Sequence, residues 1–320
     1  MRRIGKLTVY EGLEDIPESF GPSALTIGVF DGVHRGHQAL MATVIAKARE
    51  LDAVPAVVTF DRHPLEIIAP GKEPPLLTTL PQRARVMESV GIEALVVLRF
   101  DDELRTLSPE DFVGKILVEQ LQARHVVVGA NFRFGHQQAG TIETLNDLGP
   151  AYGFDTTIFA LQMGGTEEVV SSTLIRRHIA DGEVERAGEE LERPYRIEGH
   201  VERGAGRGKG LGYPTANLRI PARMLLPKLG VYVVRVRRRD AVLPGVANVG
   251  LNPTFEDRRD PVIEVFILDF DEDLYGEVVE VEFTHRLRDE QKFPDPAALV
   301  QQIRRDVEAA RAWHAANPPS

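Results

Sequence analysis

Between residues 25 and 161, short apolar runs alternate with stretches of helical spacing, and this alternation admits few folds. The runs are Leu25–Phe30, Ala56–Phe60, Ala94–Phe100, His125–Gly129 and Thr156–Leu161. Their near-continuous Val, Ile and Leu predict burial on both faces. That is the mark of a parallel sheet covered by helices, since a half-exposed antiparallel sheet would alternate polar and apolar residues. Helices are expected at Gln38–Leu51, Gln82–Val90 and Glu110–Gln122, the last opened by Ser108-Pro109-Glu110, because Pro suits the first helical position. The expected architecture is a doubly wound α/β domain whose ligands sit at the carboxyl ends of the strands.

The period then changes. After an expected helix at Thr173–Ala180 comes the charged segment Gly182–Arg193, where a boundary is placed. Beyond Pro194 the spacing is two, with strands at Tyr195–Val201, Val231–Arg238, Ala241–Val249, Val262–Phe270 and Val278–Leu287, followed by an amphipathic helix from about Pro296 to His314. Short strands in such a run predict a closed antiparallel barrel with a helix packed on it. A chain of 320 residues with 43% hydrophobic content is long enough for two cores of ordinary size. The loop Pro64–Pro81 holds five prolines and no clear period, so it is expected to wrap the surface near the site.

Composition removes several function classes. With no cysteine the chain has no disulfide, no thiolate-bound zinc and no cysteine nucleophile, which fits a reducing compartment. Met1-Arg2-Arg3 has no apolar run behind it, and no eighteen apolar residues are uninterrupted, so a soluble, cytoplasmic protein without signal peptide or membrane span is expected. A net charge of −10 argues against coating nucleic acid. Arg235, Arg237 and Arg239 would share one strand face, as a solvated edge or a polyanion site.

The first apolar run leads into Gly28-Val29-Phe30-Asp31-Gly32-Val33-His34-Arg35-Gly36-His37, and a helical pattern leaves it. A helix starting near Gly36 or His37 offers unpaired N–H groups and a positive dipole end, which attract anions such as phosphate. Gly28, Gly32 and Gly36 would let a bulky ligand approach the backbone. His34 and His37 are also spaced as a metal pair or as ordinary surface residues, but no cysteine is at hand and Asp31 belongs to the same tight turn, so phosphate is favoured.

Other strand ends carry groups to the same edge. Phe60, in Thr59-Phe60-Asp61-Arg62-His63-Pro64, is either strand-end packing or a ligand contact, and His63 could equally be a loop residue. In Val128-Gly129-Ala130-Asn131-Phe132-Arg133-Phe134-Gly135, Asn131 offers hydrogen bonds to a ribose or base edge, or simply makes the turn. In Val170-Ser171-Ser172-Thr173-Leu174-Ile175-Arg176-Arg177, Ser171 or Ser172 would cap a helix while Arg176, one turn on, reaches the same anion.

In the second half, Gly204-Ala205-Gly206-Arg207-Gly208-Lys209-Gly210-Leu211-Gly212-Tyr213-Pro214-Thr215-Ala216-Asn217 fails as a P-loop, because Gly210 follows Lys209 and Arg203 stands where the first glycine should be. The glycines fit a phosphate-covering loop or a solvent loop. Thr215 and Asn217 stand two apart on one strand face, where their oxygens could bind Mg²⁺ shared with nucleotide phosphates. Glu264 lies inside an apolar strand, is expensive to bury, and so needs partners or a role.

His34-Arg35-Gly36-His37 resembles the H-x-G-H signature of nucleotidyltransferases that join a phosphate ester to AMP, and the surrounding ten residues resemble the adenylyltransferase module of bacterial bifunctional riboflavin kinase/FAD synthetases. Val170–Arg177 resembles the family's S-S-T-x-I-R signature, and Gly204–Asn217 its riboflavin kinase loop with the P-T-A-N motif. Asn248-Val249-Gly250-Leu251-Asn252-Pro253-Thr254-Phe255 and the R-x-E-x-x-F-like stretch with Arg288, Glu290 and Phe293 are similar to further kinase segments, the latter bordering the flavin.

The resemblance implies a Rossmann-like nucleotidyltransferase domain over residues 1–186 and an antiparallel β-barrel riboflavin kinase domain over 187–320. It implies phosphorylation of riboflavin by ATP with Mg²⁺, then adenylyl transfer from ATP to FMN, giving FAD and pyrophosphate. His34, His37 and Arg176 would stabilise charge in the second reaction, and Glu264 would activate the ribityl 5′-hydroxyl in the first. Gly28, Phe30, Asp31, Gly36, Phe60, His63, Pro64, Asn131, Phe132, Arg133, Ser171, Ser172 and Thr173 would border nucleotide or flavin in the first domain. Gly208, Lys209, Gly210, Gly212, Pro214, Asn248, Arg288, Glu290 and Phe293 would do so in the second, and Thr215 and Asn217 would hold the metal. Two other readings stay open: a flavin- or nucleotide-sensing protein without turnover, and adenylyl transfer to another phosphate ester.

Overall fold

The computed structural model describes residues 1–160, 169–203, 212–251 and 261–318. Contacts divide the chain into two compact units, Met1–Pro74 with Thr79–Ser171 and Pro75–Thr78 with Ser172–Ser320. The first unit runs β1 (Arg2–Ile4), β2 (Leu7–Glu11), β3 (Ser23–Ile27), α1 (Arg35–Glu50), β4 (Val54–Phe60), α2 (Leu65–Ile68), α3 (Leu80–Val90) and β5 (Ala94–Leu98). It continues with α4 (Asp102–Thr106), α5 (Pro109–Asp111) leading into π-helical turns at Phe112–Gln120, β6 (Ala123–Gly129), α6 (Ile142–Tyr152) and β7 (Asp155–Phe159).

Seven strands lie in the order β1-β2-β5-β4-β3-β6-β7, and all neighbours are parallel except β1 with β2. All five expected strands form. Successive side chains alternate faces, so Leu25, Val58, Val96 and Val126 pack with Phe112 and Ile116 on one side, while Ala24, Val57, Leu95 and Val127 pack with Met41, Val44 and Met87 on the other. Each such side chain apart from Ala24 contributes about 1.5–3 kcal/mol on burial. From β3 the chain winds to β4 and β5 on one side and reaches β6 and β7 on the other. The order therefore reverses between β3 and β6, which opens a crevice outside their carboxyl ends.

The second unit contains α7 (Ser172–Asp181), α8 (Val184–Leu191), β8 (Tyr195–Glu202), β9 (Ala216–Arg219), β10 (Gly230–Arg238), β11 (Ala241–Leu251), β12 (Pro261–Ile267), β13 (Val278–Asp289) and α9 (Pro296–Ala316). Six strands close into an antiparallel barrel in the order β10-β11-β12-β9-β8-β13. Ile197, Tyr232, Val234, Ile263, Val281 and Phe283 are fully buried, and α9 covers Val231, Val233 and Val246 with Val307 and Ala310.

Three expectations change. The charged segment Gly182–Arg193 holds α8, because Val184, Ala187 and Leu191 form a buried stripe, with Glu190 buried beside it, while Glu185, Arg186 and Glu189 are exposed on the other side; the expected division at 186/187 falls within it. Leu76 and Leu77 of the proline-rich loop are not a surface wrap: Leu76 N donates to Arg223 O at 2.8 Å and Leu76 O accepts from Leu225 N at 2.9 Å, and Leu77 is buried. The arginines of β10 are not on an edge, since β10 lies between β11 and β13. Arg237 pairs with the buried Glu282, Arg238 with Glu277 and Glu272, and Arg235 Nη2 donates to Asn317 O at 2.7 Å, so acids and carbonyls occupy the polyanion's place.

α7 is tied to the barrel unit: its Ile179 O accepts from Lys228 N at 3.2 Å, and His178 Nδ1 lies 3.3 Å from Glu190 of α8. A fragment beginning at Ser172 should therefore melt several degrees above one beginning at Glu185, each kcal/mol moving a fragment of this size by about 2–4 °C. Equal melting curves by circular dichroism would show that α7 adds nothing.

Candidate active sites

The turn after β3 starts where the ladder ends, with Gly28 N donating to Val58 O at 3.0 Å. Phe30, Gly32 and Val33 then take φ of 51°, 85° and 42°. Such angles suit glycine but strain Phe and especially β-branched Val, at about 1–3 kcal/mol each. The turn folds Phe30's ring back over Gly28, where a Cβ would stand 2.9 Å from it, so the bare backbone there is used by the chain's own aromatic. α1 begins at Arg35, earlier than the expected Gln38, with His34 as N-cap.

His34 Nδ1 accepts from His37 N at 3.4 Å, which in the neutral ring leaves the proton on Nε2. The two imidazoles stack at 3.7 Å and 21°, and Phe30 meets His37 edge-on at 5.1 Å. Asp31 and His34 are buried, Gly36 lies buried in the first turn of α1, and that turn carries no acidic residue. Burial first, and the neighbouring His34 second, hold His37 well below the ordinary histidine pKa. It is therefore uncharged at neutral pH and carries a ring N–H beside the partial positive charge of the helix end.

The parallel neighbours β4 and β6 bring two more turns to this edge. Phe60 packs edge-on to Phe100 at 5.4 Å. Asp61 Oδ1 accepts from Phe100 N at 2.9 Å, His63 Nδ1 accepts from Leu65 N at 3.2 Å, and Pro64 opens α2. After β6, Asn131 and Arg133 are exposed and Phe132 stacks on Phe134 at 5.5 Å, with its N–H on Gly129 O at 3.0 Å. Ser171 closes the first unit; Ser172, Thr173 and Arg176 lie on α7 and group with the second, where Arg176 Nε donates to Pro75 O at 2.8 Å.

In the barrel, register builds the second constellation. Asn248 lies opposite Glu264 and Glu264 opposite Asn217, and directly opposed residues share a face. Their sequence neighbours Ala247, Val249, Ile263, Val265 and Leu218 are buried inside, so the polar row lies on the outer face. Glu264 is half-buried between two amides, which lowers the desolvation cost expected of a carboxylate in this strand. The row continues through Val231 to Arg288, whose guanidinium grips Asp306 of α9 (Nε–Oδ1 3.0 Å, Nη2–Oδ2 2.7 Å) and stands 5.9 Å from the Phe293 ring centre. A Cβ at Gly250 would lie 2.9 Å from both Asn248 Nδ2 and Glu290 Oε1, so glycine there leaves room for both side chains over the backbone.

Thr215 immediately precedes β9, Pro214 is exposed, and Gly212 takes a φ of 84° that favours glycine. Thr215 and Asn217, the latter with Glu264 opposite it, present oxygens, the donor type that Mg²⁺ prefers. Gly208, Lys209, Gly210 and Asn252–Phe255 lie outside the described residues. Sequence reasoning missed Arg83, which donates from α3 to Val29 O at 2.7 Å. The available signal was its place on the apolar face of α3, beside Ala84 and one turn before Met87.

Residues 16–174 match the family model described as FAD synthetase, and residues 191–314 the one described as riboflavin kinase. A Listeria monocytogenes protein called bifunctional riboflavin kinase/FMN adenylyltransferase is 37% identical over 292 residues, 91% of this chain and 92% of its own. Proteins of the same name from Haemophilus influenzae and Escherichia coli K12 are 35% and 37% identical, over 96% and 92% of this chain and 99% and 94% of theirs. A crystal structure from Streptococcus pneumoniae, described as a macrolide-efflux protein, has a TM-score of 0.85 at 32% identity, covering 96% of this chain and 99% of that one. That description stands apart from the relatives' shared name, and two separate family models, one for each half, support the latter. No helix among the described residues is long and apolar enough to cross a membrane.

His37 has a pH consequence. The unfolded ring titrates near the ordinary 6.5, so above that value its full stabilising contribution is present. As pH falls through it, the unfolded chain takes up a proton that the folded ring refuses, and stability is lost down to the depressed folded pKa. His125, also lowered chiefly by burial, acts in the same direction. Melting curves between about pH 7.5 and 5.5 should therefore show a smaller acid-induced loss for His37→Gln than for the parent. Identical losses would mean that the folded His37 ring takes up its proton as readily as the unfolded one.

Proposed function

The chain belongs to the family of bifunctional riboflavin kinase/FMN adenylyltransferases, and from that premise we propose how its residues divide the two reactions. It phosphorylates riboflavin with ATP to FMN and transfers an adenylyl group from ATP to FMN, giving FAD and pyrophosphate. We assign adenylyl transfer to residues 1–186 and phosphorylation to 187–320, with the cytoplasm as the place of action. The stacked His34/His37 pair at the start of α1, on the carboxyl edge of the sheet, carries the first assignment.

In adenylyl transfer an FMN phosphate oxygen attacks the α-phosphorus of ATP, and the bond to pyrophosphate breaks. The nucleophile is already an anion, so alignment and stabilisation of charge suffice. His34 and His37 donate N–H groups to phosphate oxygens, and the free N–H groups of α1 add to them. Arg176 supplies charge, a role resting on its motif. Asn131 binds ribose or base, Phe60 and Phe132 flank the flavin, and Asp31, His63, Pro64 and Arg133 border the ligands.

In phosphorylation Glu264 takes the proton of the ribityl 5′-hydroxyl as that oxygen attacks the γ-phosphorus and ADP departs. Asn248 and Asn217, on either side in the row, hold the carboxylate in place. Arg288, Glu290 and Phe293 border the flavin, and Lys209 with its flanking glycines covers the phosphates. Thr215 and Asn217 would hold Mg²⁺, which neutralises phosphate charge when bound. A sensing protein without turnover would bind the same ligands but would have no need of a base at Glu264.

Incubation with riboflavin, ATP and Mg²⁺, followed by chromatography, should yield FMN and then FAD; if neither forms with oxidised or reduced flavin, the sensing reading prevails. Replacing His34 or His37 by Ala should slow FAD formation by about 10²–10³ and leave FMN formation unchanged. Glu264→Gln keeps size and hydrogen bonding but removes the base, and should cost the kinase step roughly 10²–10⁴ while FMN supplied directly still becomes FAD. Normal phosphorylation by this variant would return Glu264 to a structural role.

A further inference from the structure

The turn from Phe30 to Val33 adopts angles that its residues disfavour, so the surroundings must over-determine it. The entrance is pinned at one atom: Val29 O accepts both Arg83 Nη1 at 2.7 Å, from α3, and Thr59 Oγ1 at 3.2 Å, from β4. At the exit, Gln38 Nε2 donates to Val33 O at 3.1 Å. Of these donors Arg83 is the costly one. It is only 6% exposed, and its Nε is buried with no hydrogen bond among the described residues.

An apolar side chain would fill the same face of α3 without desolvating a guanidinium. The counter-charge is Asp31, itself 3% exposed and inside the turn, which opposes the effect of burial on Arg83. A buried cation thus meets the strained turn twice, by a hydrogen bond to the carbonyl that enters it, Val29 O, and by charge to Asp31 within it. Directly after the turn come the N-cap His34 and, stacked on it, His37.

We infer that Arg83 is a positioning residue for adenylyl transfer, fixing the histidine pair from behind through Val29 O and Asp31. This rests on assigning that reaction to His34 and His37. Arg83 has no role at the phosphates: it sets where two N–H donors stand. Misplacement of such groups by about 1 Å costs on the order of 10²-fold in rate.

The test uses the full chain with Arg83→Gln, Arg83→Lys and His37→Ala, reading FAD formation from FMN and ATP, FMN formation from riboflavin, and the ring signals of His34 and His37 by NMR. Arg83→Gln should lower kcat for FAD formation by about 10–10²-fold with little change in KM, leave FMN formation at the parental rate and shift the ring signals; Arg83→Lys, which keeps a donor and the charge, should restore part of each. A parental kcat in folded Arg83→Gln overturns the inference, and so does a loss shared equally by both activities, which would mean a general role in folding. If Arg83→Gln does not fold, Thr59→Val, which removes the other donor to the same carbonyl, carries the test by the same readouts. Unimpaired FAD formation in His37→Ala defeats the site assignment and this inference together. Slow His37→Ala beside normal Arg83→Gln defeats the inference alone.

Discussion

The first unit depends on where β3 stops. The hydrogen bond from Gly28 N to Val58 O is the last rung of the ladder, and within two residues the backbone is left-handed at Phe30. A strand cannot continue through that angle, and a helix cannot begin until the chain has turned. The turn therefore decides which N–H groups face the crevice between β3 and β6, and it puts His34 at the cap. The apolar packing on the two sheet faces secures the strand but leaves the turn undetermined, which is why hydrogen bonds from α1, α3 and β4 converge on its two ends.

In the second unit the equivalent constraint is parity. Closing six antiparallel strands assigns every residue to the inside or the outside, and a slip of one residue would exchange the two sets. Asn217, Glu264 and Asn248 fall on the outside because Leu218, Val265 and Ala247 beside them fill the inside. The polar row thus follows from the hydrophobic one. The ion pair of Arg288 with Asp306 then ties the row to α9, the helix covering the neighbouring apolar patch of the same outer face.

Much of this was legible from residues alone. The five parallel strands, the barrel and the last helix follow from apolar spacing, because burial on one or both faces is a local property of sequence. Of the elements missed, β2 carried that signal in Leu7, Val9 and Tyr10, while others lacked it. β9 is four residues long; α6 carries Gly149-Pro150 inside an otherwise helical stretch; α8 hides three buried apolar residues among charges, of which Glu190 is itself buried. At the sites, motifs and strand ends gathered the candidate residues of each unit, but the neutral state of His37 and the row across β11, β12 and β9 depend on non-local burial and register. Arg83 shows the limit: its place on the apolar face of α3 is a local hint of burial, but what it holds is seen only with the partner 54 positions away.

The electrostatics of the first site follow from what is lacking. The chain carries a net charge of −10 and its reactants are anions, so attraction by the whole molecule is unavailable, and at physiological ionic strength fields are screened beyond about 8 Å in any case. Stabilisation must come from donors at contact distance. Burial holds His37 uncharged, so under the proposed assignment the pair offers oriented N–H groups, the helix end offers more of the same, and Arg176 is the one charged member. Oriented dipoles act only where they point, whereas a mobile ammonium can follow its target. A site built on them tolerates little displacement, and that is the physical reason for a strained turn to be held by a buried arginine whose own desolvation is unfavourable.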